Sequence, residues 1–212
     1  MARHRPQFAY LEETPGAYVV DGFPLLQFDR PIDRYLLLGF ALTWTANLTL
    51  IQIVDDQQYQ LNGYAVFRNS DVKRWREITN DKFGAKAAVL HKLRPEAPAG
   101  VIITSMKEAL ASAGQAFPLV TIHRERIERR VCYVGKFQRA SQRSVTLIRI
   151  STEGEWEEED SFSLKDITLV EFGGAYERLL DQMAGPLPAR HRTQVSAAKR
   201  RLASRFAAVP PG

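Results

Sequence analysis

The chain has 212 residues, a net charge of +5 and 45% hydrophobic residues, which is enough apolar content for two small folded units and too much for a disordered protein. Cys132 is the one cysteine, excluding an intrachain disulfide and a thiolate metal cage; the longest apolar run, Tyr35 to Trp44, falls far below the roughly 20 residues of a membrane helix. The positive charge sits at the end: residues 185–212 hold Arg190, Arg192, Lys199, Arg200, Arg201 and Arg205 with no Asp or Glu, and the rest of the chain is close to neutral.

In chain order, the basic start leads into Glu12, Glu13, Pro15 and Gly16 rather than an apolar export segment, so a cytoplasmic location is expected. Short antiparallel strands are predicted at 17–20, 25–28, 35–43, 48–54, 59–61, 65–68 and 72–75, with Asp55-Asp56 and Asn62-Gly63 as turns. Residues 85–93 read as a helix, and Arg94 to Gly100 as a connection rich in Pro and Ala. Ser105 and Glu108 form a capping-box pattern that opens a second helix ending near Gly114, with Met106, Ala109, Leu110 and Ala113 on one face. Strands follow at 119–123, 131–137, 145–150, 155–158, 161–164 and 168–172. Then Tyr176, Leu179, Leu180 and Met183 mark an amphipathic helix. Gly185-Pro186-Leu187-Pro188 ends it. Beyond, Val195, Ala198, Leu202 and Phe206 recur at helical spacing with Lys199, Arg200, Arg201 and Arg205 on the flanks, the pattern of either a solvated tail or a helix that docks on a partner.

Residues 35–78 and 131–173 read as two copies of one design, about ninety-six positions apart. Leu48-Thr49-Leu50-Ile51-Gln52-Ile53 answers to Val145-Thr146-Leu147-Ile148-Arg149-Ile150, Tyr59 to Trp156, and Asp71-Val72 to Asp166-Ile167. The expected fold class is therefore mainly β with a few helices (α+β), as two tandem small barrels, each followed by a helix. The expected domains are 1–94, the first barrel with an N-terminal extension; 95–184, a linker helix and the second barrel with its C-terminal helix; and 185–212, a basic tail.

A glycine near the start of a strand (Gly39, Gly135), an apolar strand after a turn, an aromatic in the next strand and a closing strand preceded by Asp resemble the Sm-like fold, a five-stranded SH3-type barrel. The second copy, from Val134-Gly135-Lys136-Phe137 through Leu164 to Glu171 and into Gly174-Ala175-Tyr176, is similar to an uncharacterised bacterial family of Sm-like proteins. The resemblance covers residues 17–78 and 117–183. It implies assembly by pairing barrel strands between subunits. RNA-binding Sm proteins read a base with an Asp-x-apolar-Asn element and an Arg-Gly element. Here Asn47 has no Asp two residues before it, the second copy has Ser144, and the other loops read Asn69-Ser70-Asp71 and Lys165-Asp166, so the resemblance does not extend to base-specific readout.

No phosphate loop, zinc-helix His pair, nucleophile elbow or EF-hand ladder occurs. His4, His91, His123 and His191 lie in separate segments. No catalytic, cofactor-binding or metal-ligating residue is assigned, and no cofactor or small-molecule substrate is expected. Cys132 reads as a buried small apolar residue, Asp71 and Asp166 as turn caps, and Glu153, Glu155, Glu157, Glu158, Glu159 and Asp160 as a charged edge that discourages aggregation. Clustered cations can track a phosphate backbone or an acidic partner, which makes Lys136, Arg139, Arg143, Lys199, Arg200, Arg201 and Arg205 the candidate contact residues. The expected function is a non-enzymatic binding or assembly module that engages a protein partner or itself. The alternatives are sequence-independent RNA or DNA binding through the tail and second barrel, and an enzyme whose site is assembled from distant residues.

Overall fold

The computed structural model describes residues 16–33, 36–80, 82–189 and 191. Among them the protein is mainly β, with three helices and one large open antiparallel sheet of eleven strands. The strands are β1 (Val19–Val20), β2 (Phe23–Asp29), β3 (Leu37–Trp44), β4 (Leu48–Val54), β5 (Leu61–Arg68), β6 (Arg74–Glu77), β7 (Val120–His123), β8 (Cys132–Ala140), β9 (Ser144–Ile150), β10 (Trp156–Ser163) and β11 (Leu169–Phe172). The helices are α1 (Phe83–Leu90), α2 (Met106–Ala116) and α3 (Ala175–Ala184). Spatially the order is β1-β2-β3-β4-β5-β11-β7-β8-β9-β10, with β6 on β2.

Divided between β5 and β11, this sheet gives two halves of identical strand order, β6-β2-β3-β4-β5 and β11-β7-β8-β9-β10. Register repeats as well. Gly39 stands opposite Ile53 as Gly135 stands opposite Arg149, and both ladders slip at the same place, between Ala41 and Thr43 and between Phe137 and Arg139. The two glycines are required by the same close approach: a Cβ on Gly39 would lie 2.5 Å from the Gln52 carbonyl oxygen, and one on Gly135 2.5 Å from that of Ile148. The pairing also corrects the sequence alignment. Leu48 opposes Arg68 as Ser144 opposes Ser163, so the counterpart of Asn47 is Arg143; Trp156 opposes Ile150 as Leu61 opposes Val54, while Tyr59 lies in the preceding turn at φ +52°.

Two separate closed barrels were expected, and no closed barrel is found among the described residues. The strand edge that closure would consume joins the halves instead: β5 pairs with β11, satisfying backbone groups that an isolated edge would leave to water. Of the strand predicted at 59–61 only Leu61 is in a strand, and it joins the predicted 65–68 in one strand, β5, carried through a register shift; Gly63, at φ +75°, lies within it. Likewise 155–158 and 161–164 merge in β10 across a bulge. Ser105 caps α2 as expected, its Oγ accepting from the Glu108 N–H at 3.2 Å. Gly114 does not stop that helix. It continues to Ala116, and Gly114 is the point where Phe137 lies against the helix backbone, in the space a Cβ would fill.

Burial follows the same plan. The largest apolar cluster draws Phe40, Leu50 and Val66 from the first half and Leu147, Val170 and Phe172 from the second, with Leu110 and Ala113 of α2. A second cluster joins Phe28, Ile51 and Phe67 to Leu169 of the second half. The β5·β11 seam is thus flanked by apolar side chains drawn from both halves, the main stabilising contribution for an arrangement of this kind.

Candidate interaction site

At the seam, Leu169, Val170, Glu171 and Phe172 stand opposite Phe67, Val66, Ala65 and Tyr64. Arg68, the last residue of β5, reaches across it: its Nε donates to the Ile167 carbonyl at 2.8 Å and its Nη2 to the Leu164 carbonyl at 2.7 Å. Arg30, directly after β2, has a fully buried side chain and makes a two-pronged ion pair with Glu125 of the second half, Nη1 donating to Oε1 at 3.2 Å and Nη2 to Oε2. The Glu125 N–H donates to Thr168 Oγ1 at 3.1 Å, so the loops before β8 and β11 are held together. Asp71 was read as a turn cap; it is instead buried and ion-paired with Arg126 across the seam. Burial pushes its carboxyl up against the opposing pull of Arg126, Arg30 and Arg68, and Asp71 Oδ2 has no hydrogen-bond partner among the described residues.

The outer edges of the two halves are the counterparts of the seam. β11 has β7 on one side and β5 on the other, whereas its twin β6 pairs only with β2; β5 has β4 and β11, whereas its twin β10 pairs only with β9. Among the described residues these two edges are unpaired, and their charges are opposite. Lys73, Arg74 and Arg76 are exposed at β6, while β10 carries Glu157, Glu158, Glu159 and Asp160. Some charges are partly balanced in place: Arg74 pairs with Asp29 at 2.9 Å, Arg139 with Glu159 at 2.9 Å, and Arg149 with Glu157 and, at 3.4 Å, with Asp160. Exposed pairs of this sort hold weakly and exchange readily.

Of the candidate contact residues, Lys136 and Arg139 lie in β8 and Arg143 in the turn after it. Arg139 is bound to Glu159 of the acidic strand β10, beyond β9, and Arg143 is exposed, with its carbonyl accepting from the Leu164 N–H at 2.9 Å. The three do not form an acid-free cationic surface. Lys199, Arg200, Arg201 and Arg205 lie outside the described residues.

A second group lies beside the seam. His123 stands opposite Cys132, and its Nε2 is 2.7 Å from Glu171 Oε2. A cleft of about 160 Å³ is lined by Asn62 and Tyr64 of the first half and by Thr121, Cys132, Glu171 and Glu177 of the second. Thr121 Oγ1 donates to Glu177, whose other oxygen accepts from the Gly174 N–H at 3.0 Å and caps α3. Cys132 is exposed rather than buried, because it begins β8 at the mouth of this cleft. Desolvation, followed by the carboxylates of Glu171 and Glu177, pushes its thiol up, the reverse of what a nucleophilic cysteine needs. Desolvation lowers the His123 pKa, but the hydrogen bond and charge of Glu171 and the charge of Glu125 outweigh it and leave the pKa raised. No group of three or more His, Cys, Asp or Glu among the described residues is arranged to hold a metal ion.

Sequence reasoning missed Arg30, Arg68, Glu125 and Arg126, since a buried arginine and a surface arginine look alike without the strand pairing. The paired repeat was the available signal: Arg30 follows β2 as Arg124 follows β7, and they sit over Phe67 and Phe162 at 5.8 and 5.4 Å. No family model matches the chain, and no curated protein or solved structure matches it.

Proposed function

We propose that this chain is a non-enzymatic assembly module built from two fused Sm-like β units, and that it joins to further copies of itself by adding a strand at its free edges, β6 of one copy against β10 of the next. The observation that carries this reading is the seam: β5 and β11 are already joined in that way, and among the described residues β10 and β6 are the same two positions without a second strand partner. Apart from β1, which pairs with β2, each half has five strands whose last returns to pair with its first, the connectivity of a small SH3-type unit. Transferring the seam register to the outer edges sets Arg76 opposite Asp160, with Arg74 one step diagonal to the same carboxylate. It also sets Glu77 opposite Glu159, where Arg139 already neutralises the latter. Two β10 edges repel each other, so the charges select head-to-tail joining over edge-to-edge aggregation.

Light scattering over a range of concentrations tests this. Assembly that grows with concentration, is abolished by Arg76→Asp and is restored in the Arg76→Asp/Asp160→Arg chain fits the register. A monodisperse monomer at all concentrations that retrieves no protein partner refutes it. Sequence-independent nucleic-acid binding is the second reading, favoured by the exposed Arg143 and the basic tail; its mark is an affinity that falls steeply with salt.

A further inference from the structure

Helix α1 is built the opposite way round from an ordinary surface helix. Its inward side is two alanines, Ala85 and Ala88, in the main apolar cluster, while Phe83, Val89 and Leu90 are 71, 60 and 79% exposed, the three highest exposures of any large apolar side chain among the described residues. Ile78 before the helix and Leu93 after it are buried in the same cluster, so both ends are pinned with the large side chains outward. From the β4–β5 turn, Tyr59 meets the Phe83 ring edge-on at 5.1 Å and supports it in that position.

Cations are interleaved with these residues. Lys86 falls between Phe83 and Leu90 on the outer face, Lys82 and Lys92 flank the two ends, and all three are exposed. From Lys82 to Arg94 there is no Asp or Glu. Among the described residues the three lysines make no ion pair, and Arg94 has an open one with Asp21 at 3.6 Å. Of the two acids on the turn that carries Tyr59, Asp55 is held by the Gln57 and Gln58 N–H groups, which leaves Asp56 as a single opposing charge.

An apolar face interleaved with unpaired cations matches a surface that is anionic on top and apolar beneath, as a bilayer containing acidic lipid is. A second copy of the chain fits less well. The helix is about 12 Å long, and a patch of that length falls short of the roughly 800 Å² per partner that a stable protein interface buries, whereas lipid asks for no complementary shape. No helix among the described residues is long and apolar enough to cross a membrane, so the contact this face can make lies in the headgroup plane.

We infer that α1 binds the surface of a membrane containing anionic lipid, with Phe83, Val89 and Leu90 inserted among the acyl chains and Lys82, Lys86 and Lys92 on the headgroups. The contact uses none of Arg74, Arg76 and Asp160, so it goes beyond the strand-edge assembly and stands or falls apart from it.

Sedimentation of the full chain with lipid vesicles tests this. Binding is expected to vesicles of equimolar phosphatidylcholine and phosphatidylserine and not to phosphatidylcholine alone. Lys82→Gln/Lys86→Gln is expected to weaken it about 25-fold, about fivefold for each cation near an anionic surface. Phe83→Ser/Leu90→Ser keeps every charge and is expected to weaken it at least about tenfold, through the lost apolar insertion. All four side chains are exposed, so circular dichroism should be unchanged in both variants. No binding to either vesicle overturns the inference, as does equal binding by all three chains, the result that attraction through the basic tail alone gives. A loss in the lysine variant without one in Phe83→Ser/Leu90→Ser reduces the contact to charge and overturns insertion. Equally tight binding to polyglutamate assigns the face to an acidic protein, and self-association abolished by Phe83→Ser/Leu90→Ser without vesicle binding assigns it to a second copy; either overturns the membrane. A polarity-sensitive fluorophore on Leu90→Cys in a Cys132→Ser background gives a second measurement: its emission is expected to shift to the blue on adding the phosphatidylserine vesicles, and an unshifted spectrum overturns the inference.

Discussion

Glu125→Ala isolates the strongest electrostatic element of the seam. Arg30 has no side-chain exposure, and among the described residues its guanidinium hydrogen-bonds to Glu125 alone and its Nε has no partner. Truncating Glu125 leaves a buried, unpaired cation, a change that destabilises by about 3–5 kcal/mol because its desolvation is no longer offset. With a urea slope of about 2 kcal/mol per molar, the unfolding midpoint should fall by about 2 M. Arg30→Met/Glu125→Leu removes both charges and places apolar atoms beside Phe67, over whose ring the Arg30 guanidinium lies at 5.8 Å. That chain should match or exceed the original, because replacing a buried pair by apolar groups of similar size is often neutral or stabilising by about 1–4 kcal/mol. Urea unfolding of the three chains, followed by circular dichroism, is the assay. A midpoint shift under roughly 0.5 M for Glu125→Ala, or a double variant no better than the single one, would refute the reasoning.

Arg68→Ala removes two charge-assisted bonds to the Leu164 and Ile167 carbonyls; hydrogen bonds to charged groups contribute about 1.5–3 kcal/mol each, and partial solvation here brings the expected total to about 2 kcal/mol, read by the same unfolding curves. Gly114→Ala gains helix propensity but forces Phe137 away from α2; overpacking of about 1–3 kcal/mol should exceed the gain of about 1 kcal/mol and lower the melting temperature, and a rise would show that Phe137 swings aside freely. The raised pKa of His123 means that its bond to Glu171 contributes fully below the unfolded histidine value of about 6.5 and that this contribution is lost as pH rises through the folded value. Stability measured against pH should therefore fall across that window in the unaltered chain and stay flatter in Glu171→Gln, with the His123 ring resonances in NMR titrating at lower pH in the variant.

The sequence pattern carried the mainly β content and most strand positions, because alternation and turn residues are local signals. Asp55 behaves as its position suggested: Oδ1 accepts from the Gln57 and Gln58 N–H groups at 2.9 and 2.7 Å. What is not local was not legible. Whether β5 closes on its own half or crosses to the other is decided by which edge lies nearby, and no residue in Leu61–Arg68 declares it. Gly114 looked like a helix stop because its partner Phe137 is far along the chain. Asp71 and Cys132 were misplaced for the same reason, one drawn inward by Arg126 and the other left exposed where β8 begins. Among the candidate contact residues, Arg139 is diverted by Glu159, an acid read earlier as part of a separate charged edge.

The duplication is symmetric in its strands and asymmetric in its fasteners, and that difference bears on how strong any outer joint is. The twin of Arg68 is Ser163, which cannot span a joint to two carbonyls. The twin of Arg30 is Arg124, whose Nη2 bonds within its own half to Glu128 and to the Tyr133 hydroxyl, at 2.7 and 3.2 Å. An outer β6·β10 joint thus lacks both the carbonyl clamp and the buried ion pair of the seam, and retains only backbone pairing and surface charge. Surface charge is screened within about 8 Å at physiological ionic strength. Outer joining on this plan is reversible and weakens with added salt, while the inner seam, tethered by the chain and fastened by Arg68 and Arg30, does not open with it. Sedimentation in rising salt should then convert assemblies to folded monomers with unchanged circular dichroism; salt that unfolds the chain as it separates the copies would place the same fasteners at both joints and break the argument.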